Sequence, residues 1–597
     1  MSETVGDFIL GRVHEWGARN IYGYPGDGIN GLLGAFERQQ RVRFIQVRHE
    51  EMAAFMACAH AKWTGEVGVC TATSGPGAIH LLNGLYDAKL DHQPVVAIVG
   101  DAYTRAQGGH DQQEVDLLTL FKDVAGEYVI RCNTPLAIRH QIDRAFRIAQ
   151  AERTVTCVIV PADVQEEEAQ PKQPHMIHTV HSGVGYRPPS VVPKEADLQA
   201  AADVLNAGSR VAMLVGAGAL HATDEVIATA DALGAGVAKA LLGKAAVPDD
   251  IPYCTNSIGL LGTRPSWELM QGCDTLLMVG TAFPYANFMP EEGKARAVQI
   301  ELEPRMANLK YPCEVALIGD SKETLQDLLP LLRRKEDRSW QQKIEGEVRD
   351  WWGLMDEQGR PRANGNGMLR PQGVFHTLSS RLPDGAILSS DSGSAATWFA
   401  RHLRIRRGMK ASLSGGLATM LPGVPYAISA KFAYPDRLSV ALVGDGAMQM
   451  LGMNELITAA KFYREWADPR LVVLVLDNMD LNQVTWEQRV LAGDPKYPAS
   501  QTIPFVDFAR FAESIGLKGL RMERPEDVER VWDEALAADR PVVIDALVDP
   551  NEPPMPPHVT WEQARALAKS LIRGDEDRVR VAQQAMRNKA EEVLPRR

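Results

Sequence analysis

The stretch Val440–Gln488 constrains the fold more than any other part of this chain. Val440–Gly444 is a small, apolar run ending in glycine, which reads as a buried parallel strand. Gly444-Asp445-Gly446 makes a tight turn at its end, and Asn454–Phe462 carries apolar residues at helical spacing. Leu471–Leu476 reads as a second buried strand, closed by Asp477-Asn478. The result is a β-turn-α-β unit with an acid at one strand tip and an amide at the next. Parallel sheets gather such tips at the carboxyl edge, where ligands bind.

Asp445 offers one hard carboxylate oxygen and Asn478 one amide oxygen, and a backbone carbonyl near Asp480 could add a third. That set is too small for a calcium cage but suits Mg²⁺, which completes its shell with phosphate and water. The glycines allow close backbone approach to a diphosphate, and the helix after the turn presents N–H groups to it. A GDG turn alone is also a common surface turn. The strand-GDG-helix-strand-DN context favours the ligand reading.

With these residues in place, the stretch resembles the metal-diphosphate motif of thiamine diphosphate enzymes. The separation Ala447–Leu476 lies at the long end of the family's spacing, and Asp477 replaces the first residue of its Asn pair. The resemblance implies that Gly444, Asp445, Gly446, Ala447 and Asn478 hold the diphosphate, with Asp445, Asn478 and Asp480 at Mg²⁺.

A chain of 597 residues exceeds one hydrophobic core, so several domains are expected. A net charge of −12 disfavours nucleic acid. Seven scattered cysteines without a CxxC argue for a reducing compartment and against a zinc or disulfide framework. The N-terminus reads as an amphipathic helix rather than a signal peptide, and no apolar run reaches the roughly 20 residues that span a bilayer. The expectation is a cytoplasmic protein.

The fold class expected is α/β, with three doubly wound parallel-sheet domains and a helical C-terminal tail. Residues 1–165 alternate strands (Asn20–Gly23, Arg43–Gln46, Val67–Thr73, Val95–Gly100, Thr154–Val160) with helices. Three loops follow strands: Gly23–Gly28, containing Pro25 and Gly26; Val47–Glu51; and Thr73–Gly77. Glu50 sits where a strand meets an Ala-rich helix, a place suited to proton transfer; a pair of acids there also simply favours a helix N-terminus. RHEE is similar to the family's RHE motif, which implies that Glu50, not Glu51, binds the coenzyme's aminopyrimidine. His49, His80 and His92 read as structural. The loop His110–Glu114 matches a family substrate loop at Gln113 and Glu114, whereas Gln112 replaces an aromatic residue.

Residues 165–190 read as a Pro-rich, charged linker, and 333–362 as a second. Between them, 190–333 carries strands ending at Gly216-Ala217-Gly218, Gly280-Thr281, Glu301 and Asp320. Gly-x-Gly is weak evidence for a dinucleotide, and plain Rossmann-like packing explains it equally. The runs VGTAFPY, VQIELEP and ALIGD are similar to the flavin domain of pyruvate oxidases, especially the quinone-dependent branch. That implies FAD at Gly216, Ala217, Gly218, Gly280, Thr281, Phe283, Pro284, Glu301 and Asp320. Acetohydroxyacid synthases share the domain and bind FAD without net redox.

The third domain is 363–550, with Asp391-Ser392-Gly393 after a strand and a Ser414–Met420 loop. By resemblance Ser392, Gly393 and Thr419 join the coenzyme site, and Met420 props the coenzyme into its V shape; a Met filling a core gap is the plain alternative. Val484 and Glu487 match oxidase pocket positions, while Gln483 replaces an aromatic. The tail 551–597 is helical, with a short apolar stripe at Ala564, Leu567, Leu571 and Ile572 suited to peripheral membrane contact at most.

The resemblance implies thiamine diphosphate- and FAD-dependent oxidative decarboxylation of pyruvate, through an ylid and then an enamine, with quinone or oxygen as electron acceptor. Glu50, Gln113, Val484 and Glu487 form its catalytic set. Carboligation of two 2-oxo acids, as in acetolactate synthases, is the alternative. The family's sites lie between chains, which implies a dimer at least and a homotetramer by expectation.

Overall fold

A computed structural model of the chain describes residues 3–554 and 558–593. Met1, Ser2 and the last four residues of the expected tail lie outside the described residues. Three six-stranded, all-parallel sheets organise the chain, with helices between successive strands. The first holds β1 (Asn20–Gly23), β2 (Arg43–Gln46), β3 (Gly68–Ala72), β4 (Val95–Asp101), β5 (Val129–Arg131) and β6 (Val155–Pro161), in the order β2-β1-β3-β4-β6-β5. The second holds β7 (Val211–Val215), β8 (Gly236–Lys239), β9 (Cys254–Ser257), β10 (Thr275–Val279), β11 (Arg296–Glu301) and β12 (Val315–Ile318), ordered β12-β11-β10-β7-β8-β9. The third holds β13 (Ile387–Ser390), β14 (Lys410–Ser412), β15 (Ser439–Gly444), β16 (Leu471–Asp477), β17 (Lys518–Met522) and β18 (Val542–Leu547), ordered β14-β13-β15-β16-β18-β17.

The central strands β4, β6 and β16 are buried along their whole length. Strands covered by helices on both faces must be apolar throughout, which is why they read as continuous runs of Val, Ile and Leu. In each sheet the strand order first reverses at one switch point: between β1 and β3, between β7 and β10, and between β13 and β15. The connections leave these neighbouring strands in opposite directions, so a crevice opens at their carboxyl ends. The loops after Gly23 and Ala72, after Val215 and Val279, and after Ser390 and Gly444 lie at those three places.

By compactness the chain divides into two units. One comprises Met1–Pro188, Leu413–Ala441 and Gln449–Leu471; the other comprises Pro189–Ser412, Leu442–Met448 and Val472–Arg597. The first unit therefore takes in a segment that ends within β15 and another that follows it, as well as the whole first sheet.

The expected linker at 333–362 is instead largely helical. Ser339–Gln358 is a 20-residue helix that buries Trp340, Ile344, Val348, Trp351 and Met355. These recur every three or four residues, so they share one face despite the charged residues between them. Trp340 Nε1 donates to the β7 carbonyl of Val211 at 2.9 Å, pinning the helix to the central sheet.

The tail helices Trp561–Ile572 and Arg578–Val593 are anchored to the second unit. Arg489 grips Asp575 with two 2.8 Å hydrogen bonds, both side chains being almost fully buried. Ile572 and Trp561 are exposed. Among the described residues no helix is long and apolar enough to cross a membrane.

Candidate active site

At the β13/β15 crevice, Gly444 ends its strand and Asp445 begins a short helical turn. A π-helical segment, Met448–Gly452, follows before the regular helix Met453–Phe462. Asp445 is 3% exposed. Its Oδ1 accepts from Gly446 N at 2.8 Å, and its Oδ2 accepts from Asn478 N at 2.9 Å and Met479 N at 2.6 Å. These bonds tie the tip of β15 to the tip of β16. Burial, and then the neighbouring carboxylate of Asp477, push Asp445 up to about 8. Asp477 is itself raised by burial, and burial together with Asp477 raises Asp545 to about 7. A buried group of acids whose charged forms are this disfavoured fits a cation, because a divalent ion would reverse the shift. Oxygen donors suit Mg²⁺.

Asn478 is buried, and its Oδ1 accepts from Asp480 N at 3.0 Å. The carboxylate of Asp480 is committed elsewhere: it meets Lys496 Nζ at 3.0 Å, Thr485 Oγ1 at 3.1 Å and Asn482 Nδ2 at 3.2 Å. Any contribution of Asp480 to a metal is thus left to its backbone carbonyl, which also accepts from Asn482 N at 2.7 Å. On the other side of the crevice, Ser392 N donates to Asp391 Oδ1 at 2.8 Å and Gly393 adopts φ +107° before the helix Ser394–His402.

Glu50 belongs to the first unit. It opens the helix Glu50–Thr64, whose N-cap is His49. Glu50 is 7% exposed, and its Oε2 meets His80 Nδ1 at 3.0 Å. A Cβ on Gly77 would come within 3.1 Å of its Oε1, so Gly77 lets the carboxylate fit. Glu51 turns elsewhere, accepting from Asn83 Nδ2 at 2.6 Å. The two adjacent acids are thereby distinguished by their partners. His49 stacks on His80 with ring centroids 4.4 Å apart, and burial, followed by the charge of His80, holds the His49 imidazole below its ordinary value. From sequence, His49 and His80 read as structural. The signal that could have found His80 is its place on the helix after the Thr73–Gly77 turn.

Pro25 and Gly26 stand at the β1/β3 crevice. A Cβ on Gly26 would lie 2.5 Å from the Thr73 side chain, and Gly28 N donates to Thr73 Oγ1 at 2.9 Å. Gln113 has φ +62° and accepts from Ser74 Oγ at 3.2 Å, while Gln112 is exposed. Thr419 and Met420 lie between two residues in the left-handed region, Ala418 (φ +52°) and Leu421 (φ +98°). Such strain in residues other than glycine persists only where surrounding bonds impose it. Asp91 supplies them: it accepts from Gly415 N at 2.9 Å, Gly416 N at 2.6 Å and Lys62 Nζ at 2.6 Å, and Lys62 also donates to the Leu413 carbonyl at 2.6 Å. Asn83 Nδ2 donates to Thr419 Oγ1 at 3.2 Å.

Val484 and Glu487 are exposed on the helix Asn482–Glu487, and Gln483 donates to Glu487 at 3.0 Å. The buried side of that helix carries Thr485 and Trp486. At the β7/β10 crevice, Gly216 N donates to Val279 O at 3.0 Å and Gly218 N to Gly280 O at 3.0 Å. A Cβ on Gly218 would lie 2.7 Å from the Gly280 Cα, so these glycines serve close backbone approach in the first place. Thr281 and Phe283 are buried beside them and Pro284 is exposed. Glu301, raised by burial, accepts from Leu302 N and Glu303 N at 3.0 and 3.2 Å. Asp320 caps the helix Ser321–Leu328, and its bond with His221 at 2.8 Å holds its carboxyl low. The glycine-lined switch point with an acid ending the strand beside β10 fits a dinucleotide.

Residues 3–120 match the N-terminal TPP binding domain of thiamine pyrophosphate enzymes, 198–328 the central domain, and 391–546 the C-terminal TPP binding domain. The chain is 34% identical over 572 residues, 96% of each chain, to YdaP of Bacillus subtilis (strain 168), a protein named for containing thiamine pyrophosphate. It is 29% identical to a pyruvate oxidase of Lactiplantibacillus plantarum, covering 92% of this chain and 89% of that one. It is 28% identical to the large subunit of acetolactate synthase isozyme 3 of Escherichia coli (strain K12), covering 92% and 95%.

Proposed function

This chain belongs to the thiamine pyrophosphate enzymes, and from that premise we propose that it catalyses oxidative decarboxylation of a 2-oxo acid, pyruvate in the first instance, with Mg²⁺ and FAD as further cofactors. Thiamine diphosphate supplies, when bound, a nucleophilic ring carbon and an electron sink; FAD supplies two-electron acceptance, with quinone or oxygen beyond it.

The chain's own residues bind and orient. Asp445 and Asn478 would hold the metal, and the Gly444–Ala447 turn would carry the diphosphate. Gly216, Gly280 and Glu301 hold the flavin. With Oε2 of Glu50 engaged by His80, its Oε1 would be left to share a proton with the coenzyme's pyrimidine. Met420, set by the strained loop, shapes the coenzyme. Completion of the site takes Glu50 from one protomer and the Asp445–Asn478 cradle from another, so the active species is at least a dimer and, by the family's pattern, a homotetramer.

The observation that carries the oxidase reading is the exposed pair Val484 and Glu487 on one short helix, at the oxidase pocket positions. Polar Gln112 and Gln483, where oxidases carry aromatics, favour carboligation as the second reading. The purified protein with thiamine diphosphate and Mg²⁺ tests both. Flavin absorbance bleached by pyruvate without oxygen supports the oxidase. Acetolactate formed with the flavin still oxidised replaces it with the ligase.

A further inference from the structure

The donors of His49, Glu50 and His80 converge: one ligand atom from each lies within 4.8 Å of the other two. Nδ1 of His80 and Oε2 of Glu50 are already 3.0 Å apart, and the stacked imidazoles hold His49 against His80. Nδ1 of His49 accepts from Glu51 N at 3.3 Å, so ligation of a metal through Nε2 moves the ring proton to Nδ1 and releases that bond. Among the described residues the carboxylate of Glu50 is hydrogen-bonded by His80 alone. The chemistry differs from that of the Asp445 cradle. Two imidazoles and one carboxylate are the donor set of open, three-ligand zinc sites, whereas Mg²⁺ prefers oxygen alone.

We propose that in the coenzyme-free protein His49, Glu50 and His80 bind a transition-metal dication of the zinc type, with a water-filled fourth position, and that this metal competes with coenzyme loading. Donors about 2.0–2.1 Å from a tetrahedral zinc stand roughly 3.4 Å apart, so the widest pair closes by at most about 1.4 Å and the 3.0 Å His80–Glu50 pair opens slightly. His80 has the room, its side chain being 42% exposed. Glu50 is the shared element: ligating a metal, it is no longer available to the coenzyme's pyrimidine. Only this competition rests on the function proposed above; metal binding itself does not.

The test uses the full-length apoprotein in excess Mg²⁺, which fills oxygen-only sites. Titration with Co²⁺ reads the site by its visible bands, and Zn²⁺ displacing Co²⁺ gives its affinity. The expected result is one Co²⁺ per chain with imidazole-type spectra, weakened at least about tenfold in H49Q and in H80Q. Thiamine diphosphate added to the wild type releases the Co²⁺. Absence of a spectrum in the wild type, or affinity unchanged in both variants, overturns the site. Coenzyme and Co²⁺ bound together on the wild type overturn the competition. The wild-type titrations decide even if a variant does not fold. Coenzyme that fails to bind the metal-free protein overturns the function reading instead, and leaves the metal titration standing.

Discussion

The backbone N–H of Arg48 donates to the carboxylate of Glu455 at 3.1 Å, across 407 residues of sequence. Glu455 is 0% exposed, and burial pushes its carboxyl from 4.5 up to about 7, against the hydrogen bond from Arg48 N. Arg48 lies two residues before Glu50, so a helix that follows the GDG turn in sequence secures the strand end that presents Glu50.

A folded-state pKa raised above the unfolded value means the native protein binds the extra proton. Stability from this group is therefore complete below about 4.5, declines as pH rises towards 7, and stays reduced above it. The whole effect is on the order of 3 kcal/mol at most. E455Q retains an acceptor for Arg48 but cannot ionise. Urea unfolding at pH 5 and pH 8 should show a smaller loss of stability with pH in the variant than in wild type; identical slopes would refute the assignment.

E50Q removes the proton-sharing carboxylate and leaves the diphosphate cradle untouched. Turnover of pyruvate should fall by about 10² to 10⁴. Coenzyme binding, followed by calorimetry, should persist. Full turnover in E50Q would exclude Glu50 from the chemistry.

D445N removes a buried carboxylate that is unfavourable without a cation. Without metal, relief of the buried charge in the variant is offset by the loss of one acceptor, because an amide NH2 cannot accept from Gly446 N, so its melting point should lie near that of wild type. Wild type should gain about 2.7 kcal/mol when Mg²⁺-coenzyme is present at a hundredfold its dissociation constant, and the variant should gain little. Thermal melts with and without Mg²⁺ and coenzyme measure both. An equal gain in the variant would place the metal elsewhere.

D91A leaves the amides of Gly415 and Gly416 without their acceptor and the buried Lys62 ammonium with the Leu413 carbonyl but no carboxylate partner at 2.6 Å. Removing one partner of a buried ion pair costs about 3–5 kcal/mol. The strained loop bearing Thr419 and Met420 should loosen, with faster proteolysis inside 413–421 and weaker coenzyme binding. Unchanged proteolysis at that loop would show that Asp91 does not hold it.

The sequence by itself determined the three parallel sheets and the loops at their carboxyl ends, because long apolar runs and glycine turns are local signals. Val440–Gly444 and Leu471–Leu476 are legible from their own residues and differ from β15 and β16 by one residue each. Val129–Arg131 and Lys410–Ser412 carry too little periodicity to be read, being three residues each, and Gly236–Lys239, Cys254–Ser257, Lys518–Met522 and Val542–Leu547 also go unread. The helix Ser339–Gln358 was hidden beneath its charged face. Tertiary structure alone decided which of two adjacent acids meets His80 and which meets Asn83, that Asp480 spends its carboxylate on Lys496, and that Glu455 and Asp91 hold strand ends and loops far away in sequence. The reason is physical: a carboxylate's role is set by the donors, charges and burial around it, and those come from residues hundreds of positions distant, which no local pattern records.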